Sequence, residues 1–288
     1  MKVYTGTDKD MRCKGLQYEI GKPVTVDGDI KLRERGLHAC EMPLDVLNYY
    51  PPAASRYFEA ELEGVTAEKQ DDTKRVGNRL ELKAELSIAN LVKAQIKYVK
   101  ERATPEDTEH ATGNRGAASA TGDWGAASAT GDWGAASATG YLGAASATGY
   151  RGAASATGDR GAASATGDWG AASATGYQGA ASATGYQGAA SATGDWGAAS
   201  ATGYLGAASA TGDQGAASAT GKSCVALSAG VNGKVMGAIG NAIVCVERGN
   251  WDGGTYPIKS ILSAIVDGET IKAGVWYTVK DGKWVEVE

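Results

Sequence analysis

This chain of 288 residues has one phenylalanine, six prolines, four methionines, two histidines and four cysteines. Each shortage removes a class of protein. The cysteines, Cys13, Cys40, Cys224 and Cys245, show no CxxC spacing, and four thiols in so long a chain do not make a disulfide scaffold, so reduced thiols are expected. A positive excess is also missing: 28 basic against 33 acidic residues leave a net charge of −5, and no basic surface for sequence-independent nucleic-acid binding is expected. No run of eighteen apolar residues occurs, and Met1 leads into Lys2-Val3-Tyr4-Thr5 without an apolar stretch, so neither a membrane span nor a signal peptide is expected. These absences point to a soluble chain of the cytoplasm with no nucleic-acid or membrane partner.

Glycine, by contrast, is abundant, with 42 residues, and most of it is periodic. The block GAASATG begins at Gly116 and returns every nine residues until Gly215, twelve copies in all, each followed by a variable pair such as Asp123-Trp124, Tyr141-Leu142 or Tyr177-Gln178. Two glycines in every nine residues would each cost about 1 kcal/mol in a helix interior, with no stripe of large apolar residues to offset it. A Gly-X-Y period is absent, which excludes collagen. A strand through Ala-Ala-Ser-Ala-Thr, then a corner made by glycine and the variable pair, fits the period and gives a thin β-solenoid.

The pair also indicates how many repeats make one coil. Residues one coil apart stack at about 4.8 Å in a parallel β-stack. One repeat per coil would put Asp123 over Asp132 and Arg151 over Arg160, like charges repelling by roughly 0.9 kcal/mol even in water. Two repeats per coil give columns Asp123-Tyr141-Asp159-Tyr177-Asp195 and Asp132-Tyr150-Asp168-Tyr186, beside Arg115-Trp133-Arg151-Trp169. Charges then alternate with rings, and each Arg–Trp contact contributes about 0.5–1 kcal/mol. Two strands per coil are therefore expected. Whether the alanines or the hydroxyls face inward stays open at this point.

The flanks differ in composition. In residues 1–104, Phe58-Glu59-Ala60-Glu61-Leu62 and Leu80-Glu81-Leu82-Lys83 alternate as half-buried strands do. Ile88, Leu91, Val92, Ile96 and Val99 then fall on one helical face, with Lys93, Lys97 and Lys100 opposite, Ser87 as N-cap and Pro105 beyond the end. Residues 224–288 carry larger side chains, including Ala242–Val246, Ile261–Val266 and a hairpin joined across Lys280-Asp281-Gly282-Lys283, and are expected to close the open edges of the solenoid. The fold expected is mainly β: a small α+β domain over 1–104, a nonapeptide-repeat β-solenoid with two repeats per coil over 105–223, and a β-rich C-terminal cap.

The segments KVYTGTDKDMRCKGLQYEIGK, GLHACEMPLDVLNYYPP, SRYFEAELEG and VDGETIKAGVWYTVKDGKWVEVE, together with the nonapeptides, resemble phage and prophage proteins of gut bacteria. Those join an N-terminal domain of unknown function to Ser-Ala-Ala-Ser-Asn-Thr-Gly-Tyr-X repeats. Here Gly stands for the leading Ser and Ala for Asn, which makes the coil more uniform. The resemblance implies a phage setting and a host-cell cytoplasm, and no established activity.

Little in the sequence points to catalysis. Cys13, His38 and Cys40 could approach one another, but zinc normally takes four ligands and no fourth is evident, so no metal is expected. His38 with Tyr49-Tyr50 permits an ADP-ribosyltransferase-like alternative that lacks a matched acidic partner. Calcium-binding β-rolls need several carboxylates per turn, whereas Tyr replaces Asp in nearly half of these pairs. A flat Ser-x-Thr array also suits ice binding, but nothing else in the chain asks for it. No cofactor is expected. The fixed letters are what a narrow coil requires, and the variable ones, rich in Tyr, Trp and Arg, are the types that anchor interfaces. The expected binding residues are Trp124, Trp133, Tyr141, Tyr150, Arg151, Arg160, Trp169, Tyr177, Tyr186, Trp196 and Tyr204, with a host protein as partner and a host defence factor as its candidate. The alternative is a structural or adhesive spacer.

Overall fold

The computed structural model describes residues 1–32, 34–50, 55–66, 73–103 and 108–287, so Pro105 lies outside the described residues. The chain divides into two compact units, Met1–Gln95 and Ile96–Val287, with the helix Ile88–Lys100 running across the division.

The first unit is built on a six-stranded antiparallel sheet in the order Pro23–Thr25, Arg79–Leu86, Arg56–Glu63, Lys2–Thr7, Leu37–Cys40, Lys74–Gly77. Period-two alternation places Phe58, Ala60 and Leu62 in the core with Leu80 and Leu82 beside them, while Glu61 and Glu63 face water. Each such leucine contributes about 1.5–3 kcal/mol by burial. At the helix start, Asn90 N–H donates to Ser87 Oγ at 3.3 Å, which satisfies one of the orphan donors of the first turn. Leu91, Val92 and Val99 are buried, and Lys93 and Lys97 are exposed as their spacing requires. Lys100 departs from that face: it follows Ile96 by one turn, flanks the buried stripe, and donates from Nζ to Ser128 Oγ at 3.2 Å. Burial holds its pKa below the ordinary lysine value.

In the second unit every GAASATG block forms a strand, and every strand pairs in parallel with the strand eighteen residues away: Ala117 with Ala135, Ala126 with Ala144, Ala162 with Ala180. One coil is two repeats. Alternate strands collect into two sheets, one of nine and one of ten strands once the cap is included. The corners are bonded from coil to coil as well, as in Arg151 N–H to Asp132 O at 2.7 Å and Trp169 N–H to Tyr150 O at 2.9 Å. Most corners are also closed by a turn, such as Gly125 N–H to Gly122 O at 3.0 Å. No large core exists to stabilise the coil, so this unbroken backbone ladder is its main support.

Parity is resolved by the alanines. The third and fifth letters, Ala118 and Ala120 in the first copy and their equivalents in the rest, form one continuous core in which each is nearly or wholly buried. Ser119 and Thr121 point outward and are exposed. The two sheets differ on their outer faces: Ala117, Ala135 and Ala153 are exposed, whereas Ala126, Ala144 and Ala162 are buried.

The C-terminal residues continue both sheets. Val225–Ser228 and Ala242–Arg248 extend one, and Ile258–Ile265 ends it antiparallel; Lys234–Gly237 extends the other, which ends in the hairpin Tyr277–Lys280 and Lys283–Glu286. The hairpin turn is the pair Asp281-Gly282, with φ of 52° and 69°, which matches the right-handed twist of its strands. Closure by the large apolar residues as a group needs correction. Val266, Ile271, Tyr277 and Val279 join the core, but Ile261 and Ile265 face away from it, Ile265 being 67% exposed. Strand alternation is the reason: with Leu262 and Ala264 packed against the core, the residues between them must point outward.

Candidate functional site

The register places the variable pairs in two columns on the two edges of the coil. One edge carries Trp124, Tyr141, Arg160, Tyr177 and Trp196; the other carries Trp133, Tyr150, Arg151, Trp169, Tyr186 and Tyr204. The alternation of charge and ring expected from the sequence is the one observed.

The edges differ in what their side chains do. On the first, Trp124 stacks on Tyr98 with centroids 6.2 Å apart. Arg160 is only 9% exposed, its Nη1 donating to Tyr141 Oη and its Nε to Gln178 Oε1 at 3.3 Å. Leu142 and Gln178, in the same column, are buried. Leu142, Arg160 and Gln178 are thus occupied within the chain, while Tyr141 and Tyr177 on the same edge stay about half exposed. On the second edge Trp133 is 50% and Trp169 is 46% exposed, and Tyr150, Tyr186 and Tyr204 are similarly open. The Arg151 guanidinium lies between the two indoles, 4.4 Å from Trp133 and 5.7 Å from Trp169. Further along, Tyr186 and Tyr204 approach to 5.1 Å between centroids. At about 4.8 Å per coil the row from Trp133 to Tyr204 covers roughly 20 Å.

Two residues after Trp133 and Trp169 the chain enters Ala135 and Ala171, which line an open trough of about 680 Å³ on the outer face of one sheet. Its described lining is alanine and serine with no charge.

A second feature lies wholly within the first unit. A cavity of about 340 Å³ is lined by Tyr4 and Thr5 of the first strand, Cys13 and Lys14 of a short hairpin, His38 and Cys40 of the strand Leu37–Cys40, Tyr49 and Tyr50 after the 3₁₀ turn Pro43–Asn48, Tyr18 and Lys74. Lys14-Gly15 is a two-residue turn with φ of 48° and 81°, and it joins Arg12–Cys13 to Leu16–Gln17. Cys13 Sγ and Tyr50 Oη are 3.1 Å apart, and Lys74 Nζ lies 3.7 Å from the Tyr49 ring centroid. Cys13, His38 and Cys40 do reach one cavity, yet among the described residues no three His, Cys, Asp or Glu side chains are grouped to hold a metal ion. Lys14 and Lys74 escaped the sequence reading because segments far apart in the chain bring them together; only the turn propensity of Lys14-Gly15 was visible.

Burial, with the charges of Lys74 and Lys14 added to it, pushes the His38 imidazole down to about 4. Burial likewise raises Tyr18 to about 12 and holds Tyr50, which contacts Cys13, well above the ordinary tyrosine value. At neutral pH the His38 imidazole is therefore neutral and the Tyr18 and Tyr50 phenols keep their protons, with the Lys14 and Lys74 side chains in the same cavity. An unfolded histidine protonates near pH 6.5, so between about pH 6.5 and 4 the unfolded chain binds the extra proton and stability falls as the pH is lowered. Thermal melts across that window should show the decline, and His38→Gln should flatten it. An unchanged slope in the variant would contradict this assignment.

Among the described residues no helix is long and apolar enough to cross a membrane. No match was found among curated proteins or among solved structures. Residues 1–94 match the family model for a domain of unknown function, DUF7666, so the chain joins an N-terminal DUF7666 domain to a repeat-rich β-solenoid.

Proposed function

We propose that this is a non-enzymatic binding protein whose solenoid captures a host protein along the edge bearing Trp133, Tyr150, Arg151, Trp169, Tyr186 and Tyr204. One observation carries the reading: the second letters Trp133, Arg151 and Trp169 are exposed on that edge with the arginine held between the two indoles, whereas their equivalents Leu142, Arg160 and Gln178 on the other edge are buried and leave Tyr141 and Tyr177 exposed without such a stack. Trp, Tyr and Arg are the residues that most often dominate binding energy. Prior stacking also reduces the rotamer freedom the row would lose on binding. The trough beside it can be covered without desolvating a charge. A spacer would need neither feature.

The resemblance to phage-encoded proteins supports a partner in the bacterial host cytoplasm, and a defence factor is the class of partner we assign. The test is the triple variant Trp133→Gln, Arg151→Gln and Trp169→Gln, which should keep the fold and lose the partner.

A further inference from the structure

We infer that the cavity of the N-terminal domain binds a small anion that carries a flat ring, the chemistry of a nucleoside monophosphate. This is independent of the solenoid edge, since every described lining residue lies between Tyr4 and Lys74.

Among the described lining residues Lys14 and Lys74 are the side chains that carry a full charge, and no carboxylate is among them. Lys14 makes no ion pair among the described residues, and its backbone is fixed by a hairpin turn instead. Lys74 is placed against the Tyr49 ring, 3.7 Å from its centroid. Both ammonium groups act on His38, which marks a region of positive potential inside the cavity. A dianionic phosphate accepts charge-assisted hydrogen bonds from such a pair.

The walls suit the rest of the ligand. Tyr4, Tyr18 and Tyr50 add aromatic walls against which a planar ring can pack. The His38 imidazole, hydrogen-bonded to the Gly36 backbone, forms a neutral polar part of the wall. A volume of about 340 Å³ falls at the small end of ligand cavities, which favours one base with one phosphate over a dinucleotide.

The experiment is calorimetric titration of the full chain with adenosine monophosphate, adenosine and inorganic phosphate. Adenosine monophosphate should bind; adenosine should bind more weakly, by roughly tenfold or more for each charge-assisted hydrogen bond forgone, and phosphate more weakly because it lacks the ring contacts. Lys14→Gln combined with Lys74→Gln should weaken the monophosphate by a similar factor or more and leave adenosine unchanged, while Lys74→Arg should retain most of the affinity. No binding of the monophosphate at millimolar concentration, or binding indifferent to both lysines, overturns the inference. Should the double variant fail to fold, the native chain decides by proton NMR, because it has only two histidines. The monophosphate should shift the ring signals of His38 and leave those of His110, exposed on the solenoid strand Thr108–Thr112, in place. If His38 does not respond, the inference fails.

Discussion

A single methyl group added at Gly158 should unfold the coils on either side of it. Gly158 is the seventh letter of its repeat and has φ of 151°, a conformation that side chains rarely adopt. A Cβ built there would overlap the carbonyl oxygen of Gly140, one coil away. That oxygen belongs to stacked backbone and cannot be turned aside as a flexible side chain could. Strained backbone alone costs about 1–3 kcal/mol, and with the overlap the loss should reach about 4 kcal/mol or more. The first glycine of the repeat is the control. At Gly152 a Cβ would meet Ala147 atoms at 3.3 Å, tight but open to relief by a small shift, so Gly152→Ala should cost about 1–2 kcal/mol. Thermal melts followed by circular dichroism compare the two, and equally small losses would contradict the account of the seventh-position glycine. The effect should spread because each coil is supported only by its neighbours.

The same geometry explains which parts of the fold were legible in the sequence. Coil size could be read because Asp, Arg and Trp at the corners make one stacking repulsive and the other attractive, and Arg151 between Trp133 and Trp169 is that attraction realised. Inward parity could not be read, because alanine methyls and serine or threonine hydroxyls are both small enough for so narrow a core. The helix was legible from Ser87 onward, but Lys100 was assigned to water because spacing alone does not tell a residue flanking the stripe from one opposite it. At the C-terminus, Ile261 and Ile265 look like core in composition and become surface only through their pairing with Ala242–Arg248.

The site was legible in part. Corner letters were identifiable as the variable positions, and their register followed from the coil. That the second letters would be buried in one column and exposed in the other was not, since Trp and Arg occur in both. Arg160, named as a contact residue, spends its guanidinium on Tyr141 and Gln178, whereas Arg151 faces solvent between two indoles. The N-terminal cavity was visible only as a Cys–His–Cys coincidence. Its cationic character depends on Lys14 and Lys74, which the fold brings together from segments 60 residues apart in number.

The exposed row is where the account commits most. Trp133→Gln, Arg151→Gln and Trp169→Gln use a letter already found at that place in the repeat, and they extend a glutamine column from Gln187, which stacked side-chain amides support by hydrogen bonding along the coil. The variant should therefore melt close to the parent. A second variant, Trp251→Gln, removes an exposed ring from the cap and leaves the row intact. Each protein is immobilised and offered host lysate, and the affinity of any protein the parent retains is then measured with purified components. The account predicts that the row variant loses at least roughly 2 kcal/mol, about thirtyfold in Kd, while the Trp251 variant binds as the parent does. A well-folded row variant that retains the same protein with unchanged affinity would contradict the claim that this edge is the binding surface.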